Sequence, residues 1–260
     1  MYNGKAENQF RVGKIKTKNM KKIFTILTVF ALTTTVSFAQ FGIKAGLNLA
    51  NIVNNDDDTD NGIKLGMIIG ANYNAELSDA MSLDVSVAFK QSGTKETSSE
   101  SSGGVTTEGS AAYALNYIDI SPSLSFNVSD AMSLSVGPYL AFAMSGKITD
   151  EETISGAGSG IDGTTSTSES IEFGEATLQG AFDGTGPDGI SAMDFGINIG
   201  TTFSINDAMS VSAGYALGLT NLFSLDSDLE ELIESLDDEV PSIKNSGIFL
   251  TFGYTFGGGY

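Results

Sequence analysis

Three nearly identical stretches recur along the chain: Leu77-Ser-Asp-Ala-Met-Ser-Leu83, Val128-Ser-Asp-Ala-Met-Ser-Leu134 and Ile205-Asn-Asp-Ala-Met-Ser-Val211. Each separates two longer segments in which apolar residues alternate with small or polar ones. Short polar side chains favour tight turns because they hydrogen-bond the local backbone. A turn of this length between two segments of period two is typical of a β-hairpin. The repeats therefore predict at least three hairpins of one design.

The alternation predicts eight strands, at residues 41–50, 63–77, 82–91, 113–128, 133–147, 193–205, 210–220 and 247–256. One face carries large apolar side chains such as Leu83, Val136, Ile197 and Leu250, and the other carries mainly Gly, Ala, Ser and Thr. Small polar residues suit the crowded lumen of a small barrel, and strands of this length exceed the roughly 9–11 residues that cross a bilayer when tilted. We therefore expect an all-β fold, an eight-stranded antiparallel up-and-down transmembrane β-barrel with its apolar face toward lipid.

The connections between the predicted strands alternate in length. The second, fourth and sixth are the short repeated turns, whereas the long ones at 51–62, 92–112, 148–192 and 221–246 hold most of the acidic residues. Outer-membrane barrels have short periplasmic turns and longer extracellular loops. The sequence thus predicts long acidic extracellular loops.

Several local features refine this prediction. Residues 155–170 are nearly all Gly, Ser and Thr, which predicts a mobile stretch. Residues 227–238 have the spacing of an amphipathic helix, with Ser227 and Glu230 in a capping-box pattern. Pro122 and Pro138 fall inside strands, where we expect a bulge at each because proline lacks a backbone donor. A hairpin within 171–182 would raise the strand number to ten.

The N-terminal region carries an export signal. Met20-Lys-Lys precedes the apolar segment Ile23-Phe-Thr-Ile-Leu-Thr-Val-Phe-Ala-Leu32, and Ser37-Phe-Ala39 follows as a small-residue cleavage site. We therefore interpret residues 1–19 as an upstream extension, 20–39 as a signal peptide and 40–260 as the barrel domain.

The composition excludes several functions. The formal net charge is −19, and seven of the thirteen basic residues precede residue 23, so the exported chain is still more acidic. Such a surface repels phosphate backbones, which argues against a nucleic-acid partner. The chain has no Cys and no His, which excludes disulfides and histidine-based catalysis. Neither a catalytic residue nor a cofactor is indicated.

Two segments resemble the outer-membrane β-barrel family common in Bacteroidetes, often labelled "porin family". They are Ser37-Phe-Ala-Gln40 followed by Phe41-Gly-Ile-Lys-Ala-Gly-Leu-Asn-Leu-Ala50, and Asn245-Ser-Gly-Ile-Phe-Leu-Thr-Phe-Gly-Tyr-Thr-Phe256. The resemblance implies a barrel in the cell outer membrane. It also implies that Gly247, Leu250, Phe252, Tyr254 and Phe256 form the signal read by the outer-membrane assembly machinery. The tail Gly257-Gly-Gly-Tyr260 departs from the family pattern.

Charged residues on the predicted inner face are the candidate site. They are Lys44, Lys64, Glu76, Asp84, Lys90, Asp119 and Asp194. Isolated buried charges are costly, so we expect a structural ion network; a proton or ion path is the alternative. Asp56, Asp58 and Asp60 are spaced like part of a calcium loop but lack its glycine and final acid, which makes them weak metal candidates.

These observations favour a structural or surface-interaction role in the outer membrane over catalysis. The expected partners are membrane lipid, lipopolysaccharide and the assembly machinery, with an extracellular protein or sugar as a possible ligand. The alternatives are a narrow porin-like diffusion channel and a soluble barrel that binds a hydrophobic ligand.

Overall fold

The computed structural model describes residues 41–54, 62–156, 162–177, 179–180, 186–235 and 242–256. The predicted extension, the predicted signal peptide, the Asp56–Asp58–Asp60 motif and the tail after Phe256 lie outside these residues. The export signal and the domain boundaries therefore stay predictions.

The described residues form nine β-strands and a short helix. The strands are β1 (Phe41–Asn54), β2 (Lys64–Ser78), β3 (Met81–Ser102), β4 (Val105–Ser129), β5 (Met132–Ser155), β6 (Gly163–Ile171), β7 (Met193–Ser204), β8 (Met209–Gly218) and β9 (Ile243–Thr255). The helix, α1 (Ser227–Ser235), lies between β8 and β9.

Eight of these strands close into an antiparallel ring in the order β1, β2, β3, β4, β5, β7, β8, β9. The ring closes between β9 and β1, which pair from Gly42 opposite Thr255 to Asn54 opposite Ile243. The predicted eight-stranded barrel is confirmed. The ninth strand, β6, pairs with residues 146–154 of β5, whereas β7 pairs with residues 132–142 of the same strand. β6 thus stays outside the ring, and the alternative of ten strands is wrong.

The three predicted turns are confirmed, and up-and-down connectivity places them at one end of the barrel, which we call the turn end. Ser78 pairs with Met81 and Ser129 with Met132, which leaves Asp-Ala at the tip of the first two turns. In the third turn, the Asn206 side-chain oxygen accepts hydrogen bonds from the backbone N–H groups of Ala208 and Met209, at 3.0 and 2.9 Å. The short polar side chain therefore closes this turn as expected.

The opposite end, which we call the projecting end, differs from the prediction. Residues 92–112 were expected to form a loop, yet β3 and β4 continue as a hairpin to Ser102 and Val105. Gly103 and Gly104 form its tip with φ of 61° and 84°, the positive values that a two-residue type I′ turn requires. Residues 163–171, expected to be mobile, form β6. Both faces of these segments are polar, so no apolar alternation marks them in the sequence.

Pro122 and Pro138 lie opposite each other in the β4–β5 pairing. Ile120 pairs with Leu140 and Leu124 with Val136, so Pro122 lies opposite Pro138 in an unpaired gap of three positions. The register is the same on both sides of the gap, so the bulge expected at each proline is wrong. The shifts in this seam occur elsewhere, between Asn116 and Tyr117 and between Asn127 and Ser129. Proline has no backbone N–H, so the two facing prolines remove both donors of one hydrogen-bonded pair. This loss interrupts the ladder but does not change its register.

The apolar face of the ring points outward, as predicted. Six of its large side chains have exposed fractions of 48 to 60%: Ile43, Leu47, Ile69, Ile199, Phe203 and Leu250. Val136 is 43% exposed, whereas the lumen residues Asn48 and Ser86 are nearly fully buried. A soluble barrel with an apolar interior is therefore wrong for this chain. Among the residues described, no helix is both long and apolar enough to cross a bilayer.

The predicted helix is confirmed, with its first turn one residue earlier than the expected capping box. The Asp226 side chain accepts a hydrogen bond from the Leu229 N–H at 2.9 Å, and the Asp226 carbonyl accepts one from the Glu230 N–H at 3.0 Å. Asp226, rather than Ser227, is therefore the N-cap. Leu229 and Ile233 are half-buried on the helix face that was predicted to be apolar.

Candidate functional site

A buried ion pair lies on the lumen wall formed by β3 and β4. Lys90 Nζ lies 3.1 Å from Asp119 Oδ2, and both side chains are nearly fully buried. The pair is diagonal across the β3–β4 seam, because Lys90 is directly opposite Tyr117 and Asp119 is opposite Ala88. Ser121 donates a hydrogen bond to the other carboxylate oxygen of Asp119. The same ammonium lies 4.3 Å from the centre of the Tyr139 ring, an arrangement typical of a cation–π contact.

A second polar cluster lies one layer closer to the projecting end, around Asp194. Its Oδ2 accepts hydrogen bonds from the Tyr139 hydroxyl at 3.0 Å and from Asn245 Nδ2 at 2.9 Å. Asn245 Nδ2 also faces the Tyr117 hydroxyl at 3.3 Å, and Ser92 donates to Asn245 Oδ1 at 3.0 Å. The cluster joins strands β3, β4, β5, β7 and β9 across the lumen, so it fixes their relative positions.

The predicted inner charges are thus brought together only in part. Lys90 and Asp119 meet directly, and Asp194 joins them through Tyr139. Asp84 instead accepts a hydrogen bond from Asn72 at 2.8 Å. Lys44 and Lys64 form no ion pair with any other described residue. Glu76 lies near the turn end, where its side chain is exposed.

Sequence reasoning missed the aromatic members of this arrangement. Tyr117 and Tyr139 are fully buried, with exposed fractions of 0 and 1%. Tyr139 lies between the small inward residues Gly137 and Ala141 of β5. Tyr117 lies between Leu115 and Asp119 on the inward face of β4. In the sequence, an aromatic residue at a position that the alternation assigns to the inner face was the signal that could have revealed Tyr139 and Tyr117.

A buried group of mainly apolar side chains includes the two tyrosines of this cluster and extends it toward the projecting end. The lumen plug, as we name it, consists of Leu115, Tyr117, Tyr139, Ala141, Ile171, Ala216 and Leu222. Leu222 has an exposed fraction of 0% and comes from the connection after β8. Backbone hydrogen bonds hold this connection in place: the Leu222 N–H donates to Ile243 at 2.8 Å, and the Ser224 N–H donates to Gly189 at 2.8 Å. The plug is therefore built jointly by strands and connections.

The turn-end half of the lumen is different in character. It contains a cavity of about 340 Å³ that extends inward from the third turn. Hydroxyl and amide side chains dominate its lining, including Asn72, Ser86, Ser121, Asn198, Thr202 and Ser212. A smaller cavity of about 50 Å³ lies beside Lys90 and Asp119. The lumen is thus polar and roomy toward the turn end and filled toward the projecting end.

Beyond the ring, the outer parts of β3, β4, β5 and β6 form a four-stranded sheet, which we call the projecting sheet. It comprises residues 92–102, 105–116, 145–155 and 163–171. One face continues the lumen wall and surrounds a cavity of about 850 Å³. We call it the inner face, and the opposite one the outer face. Because the register shifts between Asn116 and Tyr117, the inward positions of β5 change from odd to even numbers above that point.

Charge is segregated between these two faces. By strand alternation, the inner face carries five acidic residues and no basic one: Glu96, Glu100, Asp150, Glu152 and Glu169. The outer face carries Lys95, Lys147, Glu108 and Glu151, which balance each other. Hydroxyl pairs connect strands on the outer face, such as Thr149 with Ser168 and Thr153 with Thr164, both at 3.0 Å.

The negative charge of the inner face affects the hydroxyl of Tyr113, which lies at the base of that face. Burial raises the pKa of its hydroxyl, and the negative charges of Glu96 and Asp150 raise that pKa further. Among the described residues, no group of three or more acidic side chains is close enough to hold a metal ion.

The predicted assembly signal lies on β9 and just beyond its end. Leu250, Phe252, Tyr254 and Phe256 are on the outward face, with exposed fractions between 40 and 51%. Gly247 faces inward: a Cβ there would come within 2.9 Å of the Asn48 side-chain oxygen and 3.1 Å of the Leu49 carbonyl. The recognition role of these residues stays a prediction.

A protein-family model agrees with this architecture. The family model for the outer membrane protein beta-barrel domain matches residues 18–224. Among solved structures, the chain is similar to Ail, the attachment invasion locus protein of Yersinia pestis, in complex with the heparin analogue sucrose octasulfate (14% identity, 83% of this chain and 97% of that chain covered, TM-score 0.37). It is also similar to Neisserial surface protein A, with 12% identity, 83% of this chain and 97% of that chain covered, and a TM-score of 0.44. OprG of Pseudomonas aeruginosa is 8% identical, with 83% of this chain and 95% of that chain covered and a TM-score of 0.31.

No curated protein matches the chain. The family model spans most of the sequence, and the closed ring of eight strands with an outward apolar face agrees with it. The chain therefore belongs to the outer membrane protein beta-barrel domain family, and its location is the outer membrane.

Proposed function

We propose that this protein is a closed outer-membrane barrel with a surface-interaction role, and that it does not serve as a diffusion channel. The lumen plug carries the proposal: Tyr117, Tyr139 and Leu222 have exposed fractions of 0 to 1% at the projecting end. An eight-stranded barrel has an interior just wide enough for side chains to fill, whereas porins with water-filled channels have about 16–18 strands.

We further propose that the turn end faces the periplasm and the projecting end faces the cell exterior. Short turns on one side and long extensions on the other support this orientation. The acidic projecting end would then meet lipopolysaccharide, whose phosphates it can approach through bridging divalent cations. The outward face of β9 would meet the assembly machinery during insertion.

The second candidate function is a narrow diffusion channel. The turn-end cavity of about 340 Å³ favours it, because its polar lining would suit an aqueous vestibule. Reconstitution of the purified protein into planar bilayers separates the two candidates. We expect no discrete current steps at concentrations where a trimeric porin control inserts readily. Reproducible unitary currents from the wild-type protein would contradict the closed barrel.

Orientation is tested separately by cysteine labelling, since the chain contains no native Cys. Thr165→Cys places a thiol on β6, and Asp207→Cys places one in the third turn. A membrane-impermeant maleimide should label the first variant on intact cells and the second only after the outer membrane is opened. The reverse pattern would overturn the proposed orientation.

A further inference from the structure

β6 forms one edge of the projecting sheet. β6 pairs with β5 from Gly163 opposite Ile154 to Ile171 opposite Gly146, without a register shift. Its other edge pairs with no described residue. The first eight residues of β6 are exposed, and only Ile171 is buried. Within the described part of the chain, the outer backbone donors and acceptors of this strand are therefore unpaired.

Apart from one charged side chain, Glu169, this edge lacks the features that normally prevent strand pairing. Proteins protect open edges with proline, lysine, bulges or very short strands. β6 has nine residues, Gly-Thr-Thr-Ser-Thr-Ser-Glu-Ser-Ile, with neither Pro nor Lys, and its pairing is regular throughout. Its threonines favour extended backbone. The edge is thus competent to accept a further strand, a recognised way in which proteins bind extended peptides.

The adjoining face selects the charge of that strand. The inner face of the projecting sheet carries Glu96, Glu100, Asp150, Glu152 and Glu169 without a basic residue. Glu152 lies on β5 directly opposite Thr165 of β6. In an added strand, alternate side chains would lie on this same face. A second copy of this chain would bring the same acidic residues and would be repelled.

We propose that β6 binds an extended cationic segment of a partner protein as an additional strand, with alternate Lys or Arg side chains over the inner face. Backbone hydrogen bonds to the β6 edge supply the pairing, and the segregated carboxylates supply the charge preference. The proposal rests on the surface-interaction role given above and names the chemistry of the partner.

The test uses the purified mature protein in detergent micelles, so its outcome does not depend on membrane orientation or conductance. The probe is fluorescein-labelled acetyl-(Lys-Thr)4-amide, compared with acetyl-(Glu-Thr)4-amide by fluorescence anisotropy. We expect saturable binding of the lysine peptide only. Absence of that binding would overturn the proposal and leave the closed barrel unaffected.

Backbone pairing is tested with two isomers of the lysine peptide, N-methylated at the four lysines or at the four threonines. Alternate N–H groups lie on opposite edges of a strand, so strand addition requires at least one isomer to bind more than tenfold more weakly. Equal binding of both isomers and the parent peptide would show simple electrostatic adsorption and would overturn the proposal.

The charge preference is tested with two matched substitutions. Glu152→Gln on the inner face should weaken peptide binding about twofold to fivefold, as expected for an exposed charge pair. Glu108→Gln removes one charge from the outer face next to it, since Gly109 is opposite Glu152, and should leave binding unchanged. Equal effects of the two variants would overturn the assignment to the inner face. If sedimentation instead shows a dimer that the peptide dissociates, the strand bound at the β6 edge belongs to a second copy of the chain, and the proposed partner is wrong.

Discussion

Lys90 Nζ and Asp119 Oδ2 are 3.1 Å apart across the β3–β4 seam. The pair lies where the polar half of the lumen meets the lumen plug. The small cavity of about 50 Å³ lies beside them, and Tyr139 lies over the Lys90 ammonium. The pair thus separates two environments within one barrel, and its members depend on each other for charge compensation.

Asp119→Asn should destabilise the folded barrel. The substitution leaves the Lys90 ammonium buried without its partner, and loss of one member of a buried pair typically costs about 3–5 kcal/mol. Urea-induced unfolding in lipid vesicles, followed by tyrosine fluorescence, measures the change in the free energy of unfolding. The double variant Lys90→Met/Asp119→Leu is the control, because it removes both charges together. It should cost clearly less than Asp119→Asn; an equal or larger cost would show that charge compensation is unimportant here.

Tyr139→Phe should also lower stability, by about 1–3 kcal/mol. Asp194 would lose one of the two donors to its Oδ2, and its Oδ1 already has no hydrogen-bond partner among the described residues. Tyr117→Phe is the matched control, because its hydroxyl contacts Asn245 at the longer distance of 3.3 Å. Its cost should be smaller when both are measured by urea unfolding. Equal costs would imply that ring packing, rather than the bond to Asp194, determines the effect.

The double variant Pro122→Ala/Pro138→Ala should strengthen the β4–β5 seam. Each alanine restores one N–H within the three-position gap of this ladder, and two new hydrogen bonds contribute about 0.5–1.5 kcal/mol each. Hydrogen exchange measured by NMR in micelles should show protected amides at both new alanines. Rapid exchange at both positions would mean that the gap has a cause other than the missing donors.

Ile199→Lys should strongly impair folding into membranes. Ile199 is 60% exposed on the outward face near the middle of β7, where a lysine facing hydrocarbon costs about 2–4 kcal/mol. Asn198→Lys places the same charge one residue away, on the lumen side beside the polar cavities. The two variants are compared by the fraction that shows heat-modifiable migration after folding into vesicles. Better folding of Ile199→Lys than of Asn198→Lys would contradict an outward apolar face.

The ring could be predicted from the sequence because its physical environment is two-sided. Lipid on one face and a narrow lumen on the other impose period two, so Ile197 and Asn198 already differ in character along the chain. The projecting sheet escaped prediction for the same reason. Water lies on both of its faces, so Thr164 and Thr165 face opposite sides with the same kind of side chain, and the alternation that marks a strand is lost.

The site was predictable only where charge was involved. The cost of an isolated buried charge leads to the expectation of an ion network, but the specific pairing of Lys90 with Asp119 is visible only in the structure. That cost does not indicate that Asp194 is bonded by Tyr139 and Asn245, which are neutral and lie 55 and 51 residues away in sequence. The Pro122–Pro138 gap could not be foreseen either, because it depends on the register between two strands rather than on either proline alone.

The division of β5 between two partners has a mechanical consequence. Residues 132–142 of β5 are hydrogen-bonded to β7 within the ring, and residues 146–154 are hydrogen-bonded to β6 in the projecting sheet. Tension applied to β6 parallel to the strands would load all the bonds between β5 and β6 at once, as in shear, rather than one after another as in peeling. The same load would continue along a single unbroken chain into the wall of the barrel, so a partner strand bound at β6 would be anchored by the barrel itself.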